Sequence, residues 1–115
     1  MKNDYLADLA AKLTVNGAIS LRSTLLYPGK IDPDSVSIHS GSGKYTVMTA
    51  DAVRRHLCNI GAAEMIGTGT YWSDRERSDR TENKVCRITP LGRELAAYII
   101  ANWDELDFRP SGRRY

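Results

Sequence analysis

A chain of 115 residues is long enough for one domain with its own core and too short for a two-domain enzyme. Hydrophobic residues make up 42% of the sequence and charged residues 26%, values that exclude a disordered or fibrous protein. The formal net charge is only +2, so any inference about a nucleic-acid partner depends on where the charges lie.

The sequence contains no apolar run of the roughly 18 residues that a membrane-spanning helix requires, and its first five residues lack the pattern of a signal peptide. Cys58 and Cys86 are too few for a disulfide scaffold and lack the C-x-x-C spacing. We therefore expect a cytoplasmic protein with buried thiols and no contact with a membrane.

The first element in the chain is a predicted helix over residues 4–14. Four apolar residues stand at helical spacing there: Leu6, Leu9, Ala10 and Leu13. Asn16-Gly17 supplies a signal that ends the helix. Residues 18–27 fit a strand about as well as a second short helix, so their type stays open. Residues 35–47 alternate around a Gly- and Ser-rich break, which favours a hairpin or an ordered loop over a helix.

A second helix is predicted over residues 49–62. Thr49 is a plausible N-cap, and Asp51 suits the positive end of the helix dipole in the first turn. Apolar residues follow at i, i+4 and i+7 (Val53, Leu57, Ile60).

Two strands follow, over residues 65–72 and 84–88, joined by a long polar tip over residues 73–83 that has nothing to bury. Thr89-Pro90 then opens a third helix, because proline is favoured at the first helical position. That helix has a wide apolar face (Leu91, Leu95, Ala96, Ile99, Ile100, Trp103). We expect a single domain over residues 1–108 and a basic flexible tail over residues 109–115, with Arg109, Arg113 and Arg114.

The order of these elements and two local motifs resemble the winged-helix repressors of the MarR, PadR and ArsR kinds over about residues 47–101. The first motif is Thr49-Ala50-Asp51-Ala52-Val53-Arg54-Arg55-His56-Leu57, which is similar to a recognition helix. The second is Ile88-Thr89-Pro90-Leu91-Gly92-Arg93-Glu94-Leu95, which looks like the segment that follows the wing.

The resemblance implies an α+β winged helix with a two-stranded wing and three or four helices, to which residues 35–47 could add a hairpin. It implies a small DNA-binding transcriptional regulator whose helix over residues 49–62 lies in the major groove. Arg54, Arg55 and Asn59 are the candidate base-reading residues, since arginine pairs with guanine and asparagine with adenine. In the wing, Arg75, Arg77 and Arg80 are candidates for phosphate contact, although acids alternate with them.

The last helix implies a homodimer in this family, with Leu95, Ile99, Ile100 and Trp103 as candidate interface residues. The alternative for Trp103, as for Trp72, is a place in the core. The alternative for Arg54 and Arg55 is a solvated helix surface paired with Asp51, and for the wing arginines it is a mobile loop with salt bridges.

The segment before Thr49 departs from this pattern. A helix-turn-helix needs a helix there, whereas residues 39–45 are rich in glycine and serine, which are poor helix formers. The rival hypothesis is therefore a protein-binding module from a phage or another mobile element, for example an anti-CRISPR inhibitor of a bacterial defence complex. Its partner would be a host protein complex instead of double-stranded DNA.

No enzymatic site is predicted. Ser42-Gly43-Lys44 lacks the glycine that a phosphate-binding loop needs five residues earlier, where Ile38 stands. His56 and Cys58 are two residues apart on a predicted helix and point to different sides, which does not favour a zinc site. We expect no catalysis and no cofactor.

Overall fold

The computed structural model describes residues 2–40, 48–73 and 76–106. In these ranges the chain forms five helices and an antiparallel hairpin of two strands. The order of elements is α1 (Lys2–Lys12), α2 (Val15–Leu26), α3 (Ala50–Asn59), β1 (Ala63–Ser73), β2 (Ser78–Ile88), α4 (Pro90–Ala101) and α5 (Trp103–Leu106). The predicted α+β class is therefore confirmed.

The boundary between α1 and α2 lies earlier than the sequence suggested. Thr14 caps α2, and its Oγ1 accepts a hydrogen bond from the backbone N of Gly17 at 3.0 Å. The prediction that Asn16 and Gly17 end the first helix is wrong, because both lie in the first turn of α2. Residues 18–26, whose type was open, are helical. The burial predicted for the first apolar stripe is confirmed: Leu6, Leu9 and Ala10 are buried on α1, and Leu13 is buried directly after the helix ends.

A line of buried polar side chains runs along α2 at four-residue intervals: Asn16, Ser20 and Thr24. Asn16 Nδ2 donates to the carbonyl of His39 at 2.9 Å, and Ser20 Oγ accepts from the backbone N of His39 at 2.8 Å. Thr24 Oγ1 accepts from the backbone N of Ser37 at 2.9 Å. Because buried backbone groups need partners, this line of side chains determines how the chain after α2 runs along that helix.

The same stretch of chain contacts the hairpin on its other side. The backbone N of Val36 donates to the carbonyl of Cys86 at 2.9 Å, and Ser35 forms a single antiparallel bridge with Arg87. Residues 34–39, called the crossing segment below, therefore lie between α2 and β2. Within residues 35–40 the only strand pairing is this bridge, and the rest of the predicted hairpin or loop falls on residues 41–47, outside the described ranges.

The hairpin is longer than predicted. β1 runs to Ser73 and β2 begins at Ser78, and the two strands pair from Ala63↔Ile88 out to Ser73↔Ser78, so the prediction that residues 73–83 form a tip between two shorter strands is wrong. In an antiparallel ladder the backbone N–H and C=O groups form hydrogen bonds between the strands whatever the side chains are. A cross-strand side-chain pair adds to this, since the hydroxyls of Thr70 and Thr81 lie 3.4 Å apart. The ladder shifts register on both sides of Gly67, whose φ is 84°.

The start of α4 packs tightly against the start of the hairpin. Thr89 Oγ1 accepts from the backbone N of Gly92 at 3.0 Å and donates to the carbonyl of Gly61 at 2.6 Å. Pro90 occupies the first helical position, as predicted. A Cβ on Gly92 would lie 2.0 Å from the carbonyl oxygen of Ala62, so only glycine permits this approach. The Thr-Pro-x-Gly motif is thus explained by capping and close packing.

Ion pairs tie the crossing segment to β2 and to α4. The carboxylate of Asp34 pairs with Arg93 and, at 3.0 Å, with Arg87. Arg87 also lies 3.2 Å from Asp32. These partly exposed pairs link the crossing segment and the loop before it to β2 and α4, and pairs near the surface usually add little stability.

α2 and α3 meet at a histidine. His56 Nε2 accepts a hydrogen bond from the backbone N of Thr14 at 3.2 Å, at the N-terminus of α2. A Cβ on Gly17 would lie 2.8 Å from His56 Cδ2, so glycine leaves room for the ring. Burial lowers the pKa of His56 below its ordinary value of 6.5, which favours the neutral ring that can accept this bond.

The core lies among the first four helices and the base of the hairpin. Its fully buried large side chains come from α2, α3 and α4 (Leu21, Val53, Leu57, Leu95, Ile99). The wide apolar face predicted for the third helix is thus divided. Three of its residues are buried (Leu95, Ala96, Ile99), and the other three are partly exposed (Leu91, Ile100, Trp103).

We predict that Thr24→Val destabilises the fold by roughly 1–3 kcal/mol, because it leaves the buried backbone N of Ser37 without an acceptor. Urea unfolding of the variant measures the loss. The matched control is Thr68→Val at an exposed position of β1, for which we expect little change. Equal stability of Thr24→Val and the wild type would contradict the role given to this hydroxyl.

We predict that stability falls as the pH drops below about 6.5, because the unfolded chain takes up a proton on His56 more readily than the folded chain does. Above that pH the contribution of the neutral His56 ring to the free energy of unfolding is fully present. Urea unfolding across pH 5 to 8, within the usual titration range of histidine, measures the trend. His56→Gln keeps a hydrogen-bond acceptor that does not titrate, so it should reduce the dependence of the unfolding free energy on pH. An unchanged pH dependence in that variant would exclude His56 as the source.

Candidate functional site

α3 presents one face to the core and one to solvent. Thr49 caps it as predicted, since its Oγ1 accepts from the backbone N of Ala52 at 3.1 Å, and Val53 and Leu57 are fully buried. The helix ends at Asn59 instead of residue 62. Gly61 follows with a φ of 81°, which glycine adopts readily and which lets the chain turn into β1.

Three polar side chains form the exposed stripe of α3. Asp51, Arg55 and Asn59 are all exposed and follow one another at four-residue spacing, so they lie on one side of the helix. Arg55 and Asn59 were both predicted site residues, and the structure places them together on the surface.

Arg54 does not belong to this stripe. Only 15% of its side chain is exposed, and it packs toward the hairpin in a cavity of about 160 Å³ that also involves Val85 and Cys86. The prediction that Arg54 faces outward beside Arg55 is therefore corrected. The physical reason is the helical period: residue 54 shares a side of α3 with Ala50 and Cys58, and the hairpin covers that side.

Asp51 organises the charges of this surface. Its carboxylate lies 2.8 Å from Arg54 Nη1 and 3.3 Å from Lys84 Nζ on β2. The hydrogen bond and charge of Lys84, with a further contribution from Arg54, lower the pKa of Asp51 below its usual value. The carboxylate is therefore ionised at neutral pH and links α3 to the hairpin.

A shallow groove of about 320 Å³ runs between α3 and the hairpin. We call it the α3–hairpin groove, and the side chains that line it are Asp51, Arg54, Arg55, Met65 and Lys84. Its lining carries three cations and one anion, so the groove is net positive. It also contains one apolar side chain, Met65, which is 50% exposed; Ile66, the next residue along β1, is exposed as well but does not line the groove.

Sequence reasoning missed Lys84, Met65 and Ile66. Each was assigned to a strand, but alternation along the strands could not show which side faces α3, because the register shifts on both sides of Gly67. A lysine at the edge of an apolar strand was the only available signal.

The predicted wing arginines are distributed along the end of the hairpin. Arg77 is exposed in the turn with a φ of 53°, and Arg80 lies in β2 opposite Tyr71. Arg75 lies outside the described residues, and so do the tail arginines, Arg109, Arg113 and Arg114.

The predicted dimer residues are not all on the surface. Leu95 and Ile99 are fully buried within the chain, so the prediction that they form a dimer interface is corrected: they belong to the core, in which α4 packs against α1 and α2. Ile100 and Trp103 are partly exposed. The guanidinium of Arg22 lies 4.7 Å from the centroid of the Trp103 ring, a cation–π contact between α2 and α5.

Both cysteines are held as thiols. Burial raises the pKa of the Cys86 thiol to about 12, and burial together with the charge of Glu64 raises that of Cys58. Within the described ranges, no group of three or more His, Cys, Asp or Glu side chains is arranged to hold a metal ion. None of the helices described in the structure has the length and apolar character needed to cross a lipid bilayer.

Comparison of the chain with protein-family models, with curated proteins and with solved structures found no match.

We predict different effects for the two neighbouring arginines of α3. Arg54→Ala should destabilise the fold by about 1–2 kcal/mol, because it removes the packed part of a largely buried side chain. Arg55→Ala, the matched control at an exposed position, should change stability by less than about 0.5 kcal/mol. Chemical denaturation measures the unfolding free energy of both variants. Equal losses would show that packing of the Arg54 side chain does not stabilise the fold.

Proposed function

We propose that this chain is a small winged-helix DNA-binding protein, a transcriptional regulator that places α3 in the major groove. In this proposal β1 and β2 form the wing, and α4 is the helix that follows it. The α+β class, the position of α3 beside the hairpin and the two motifs that resemble winged-helix repressors support the proposal.

The observation that carries it is the pair Arg55 and Asn59 on the open side of α3. They are four residues apart, which separates them by about 6 Å along the helix axis. Both are exposed, so they can reach base edges without any change in the fold. Arginine pairs with the edge of guanine and asparagine with the edge of adenine, so this pair suits base recognition.

The surrounding charges support contact with phosphates. Lys84 extends the positive surface from α3 onto the hairpin, and Arg77 lies exposed at its far end. Asp51 opposes this attraction, but its carboxylate is already paired with Arg54 and Lys84. Affinity would come mainly from phosphate contacts and sequence preference from Arg55 and Asn59.

The test is a fluorescence-anisotropy titration of labelled duplex DNA at two salt concentrations. We expect binding to weaken at least about tenfold between 50 and 200 mM salt, because cations released from the DNA favour the complex. Arg55→Ala should weaken binding by roughly 1–3 kcal/mol without unfolding the protein. Arg54→Ala is not a clean probe, because Arg54 also supports the fold.

Lys30→Ala is the matched control, since it removes the same charge from an exposed loop position outside α3 and the hairpin. Binding that ignores salt, or that responds equally to Arg55→Ala and Lys30→Ala, would reject DNA recognition by α3.

The second candidate function is a protein-binding module, such as an inhibitor of a bacterial defence complex encoded by a phage or another mobile element. Two exposed apolar residues of β1 favour it, Met65 in the α3–hairpin groove and its sequence neighbour Ile66, because such side chains suit a protein partner better than a phosphate backbone. A folded chain that binds no duplex in the titration above supports this candidate. Recovery of DNA alone in a pull-down from the native host counts against it.

A further inference from the structure

The carboxylate of Asp51 holds two cations that differ in how freely they can leave it. Arg54 Nη1 donates to Oδ1 at 2.8 Å, and Lys84 Nζ donates to Oδ2 at 3.3 Å. The Arg54 side chain is 15% exposed, whereas that of Lys84 is 67% exposed. Packing therefore keeps Arg54 beside the carboxylate. The Lys84 amine can exchange Asp51 for another anion at little cost, because ion pairs at the surface are weak.

The same carboxylate lies where an anionic partner would meet the groove. Asp51, Lys84 and Arg55 all line the α3–hairpin groove, and Asp51 stands one helical turn before Arg55 on the exposed stripe of α3. About half of the Asp51 side chain is exposed, so solvent and a partner can reach it. A phosphate that binds Lys84 must therefore take the amine from Asp51 and must also approach a group of its own charge.

We propose that Asp51 is a positioning residue that withholds Lys84 from the phosphates of DNA, a role that rests on the proposed DNA-binding function. Arg54 keeps the carboxylate in place, and the carboxylate keeps the amine on the α3 side of the groove. The restraint acts on every duplex, because phosphates carry no sequence information. Stable binding then needs the additional base contacts of Arg55 and Asn59.

Fluorescence anisotropy of a labelled mixed-sequence duplex, titrated at several salt concentrations, tests the proposal. Asp51→Asn keeps the size of the side chain and frees Lys84, so it should strengthen binding about three- to tenfold and steepen the salt dependence by about one released cation. Asp4→Asn is the matched control, because Asp4 is also an exposed acid in the first turn of a helix but lies on α1. It should change the affinity by less than about twofold.

A double-mutant cycle shows whether Asp51 acts through Lys84. Lys84→Gln should weaken binding by less than about twofold in the wild-type chain, where Asp51 holds the amine, and by about three- to fivefold in Asp51→Asn. Repulsion between Asp51 and phosphates, without competition for the amine, gives equal losses in both backgrounds. Equal losses would therefore overturn the proposal.

Failure of this role is distinguishable from failure of DNA binding. The role alone is overturned if the wild type binds the duplex in a salt-dependent manner and Asp51→Asn binds it equally well, or if Asp4→Asn strengthens binding as much. If neither chain binds the duplex at any salt concentration, the proposed function fails and the role of Asp51 fails with it. Urea unfolding verifies that each variant is folded, and Asp51→Ser provides the same test if the asparagine variant is not.

Discussion

The buried polar line on α2 is the constraint on which the arrangement of this protein depends. Hydroxyl and amide groups at Asn16, Ser20 and Thr24 take up backbone groups of the crossing segment that would otherwise be buried without partners. The crossing segment in turn donates to and accepts from β2 on its other side. The crossing segment therefore joins α2 to the hairpin, and its hydrogen bonds help to fix their relative position.

The hairpin is thereby placed where it can shape the surface of α3. It covers the side of the helix that carries Arg54, and Lys84 reaches across to the carboxylate of Asp51. Two adjacent arginines consequently have different roles: Arg54 is part of the packing, and Arg55 is available to a partner. This division follows from the helical period and from the position of the hairpin, and charge alone does not reveal it.

Local signals in the sequence were sufficient where the structure depends on local chemistry. The stripe of α1, the cap at Thr49 and the Thr89-Pro90 start of α4 were all predictable, because each rests on neighbours within one or two turns. Asn16 and Gly17 were mistaken for a helix end because tertiary contacts explain both residues. Asn16 is buried and bonds to His39, and Gly17 leaves room for the ring of His56. The polar outer hairpin escaped prediction for a similar reason, since its pairing depends on a partner strand and not on burial.

The candidate site was predictable to a similar extent. The exposure of Arg55 and Asn59 follows from where Val53 and Leu57 must point, and the sequence was enough to place both on one side of the helix. The inward direction of Arg54 and the contribution of Lys84 and Met65 depend on contacts with residues about 30 positions away or on strand register. No pattern within the helix contains that information.

The register shifts around Gly67 also determine where the outer half of the hairpin points. Beyond them, none of the side chains that the structure describes belongs to the hydrophobic core. A bulge bends its strand and increases the local twist, so the direction of the outer strands is set by backbone geometry at this glycine. The position of Arg77 relative to α3 therefore depends on the backbone conformation at Gly67 and not on the packing of the core.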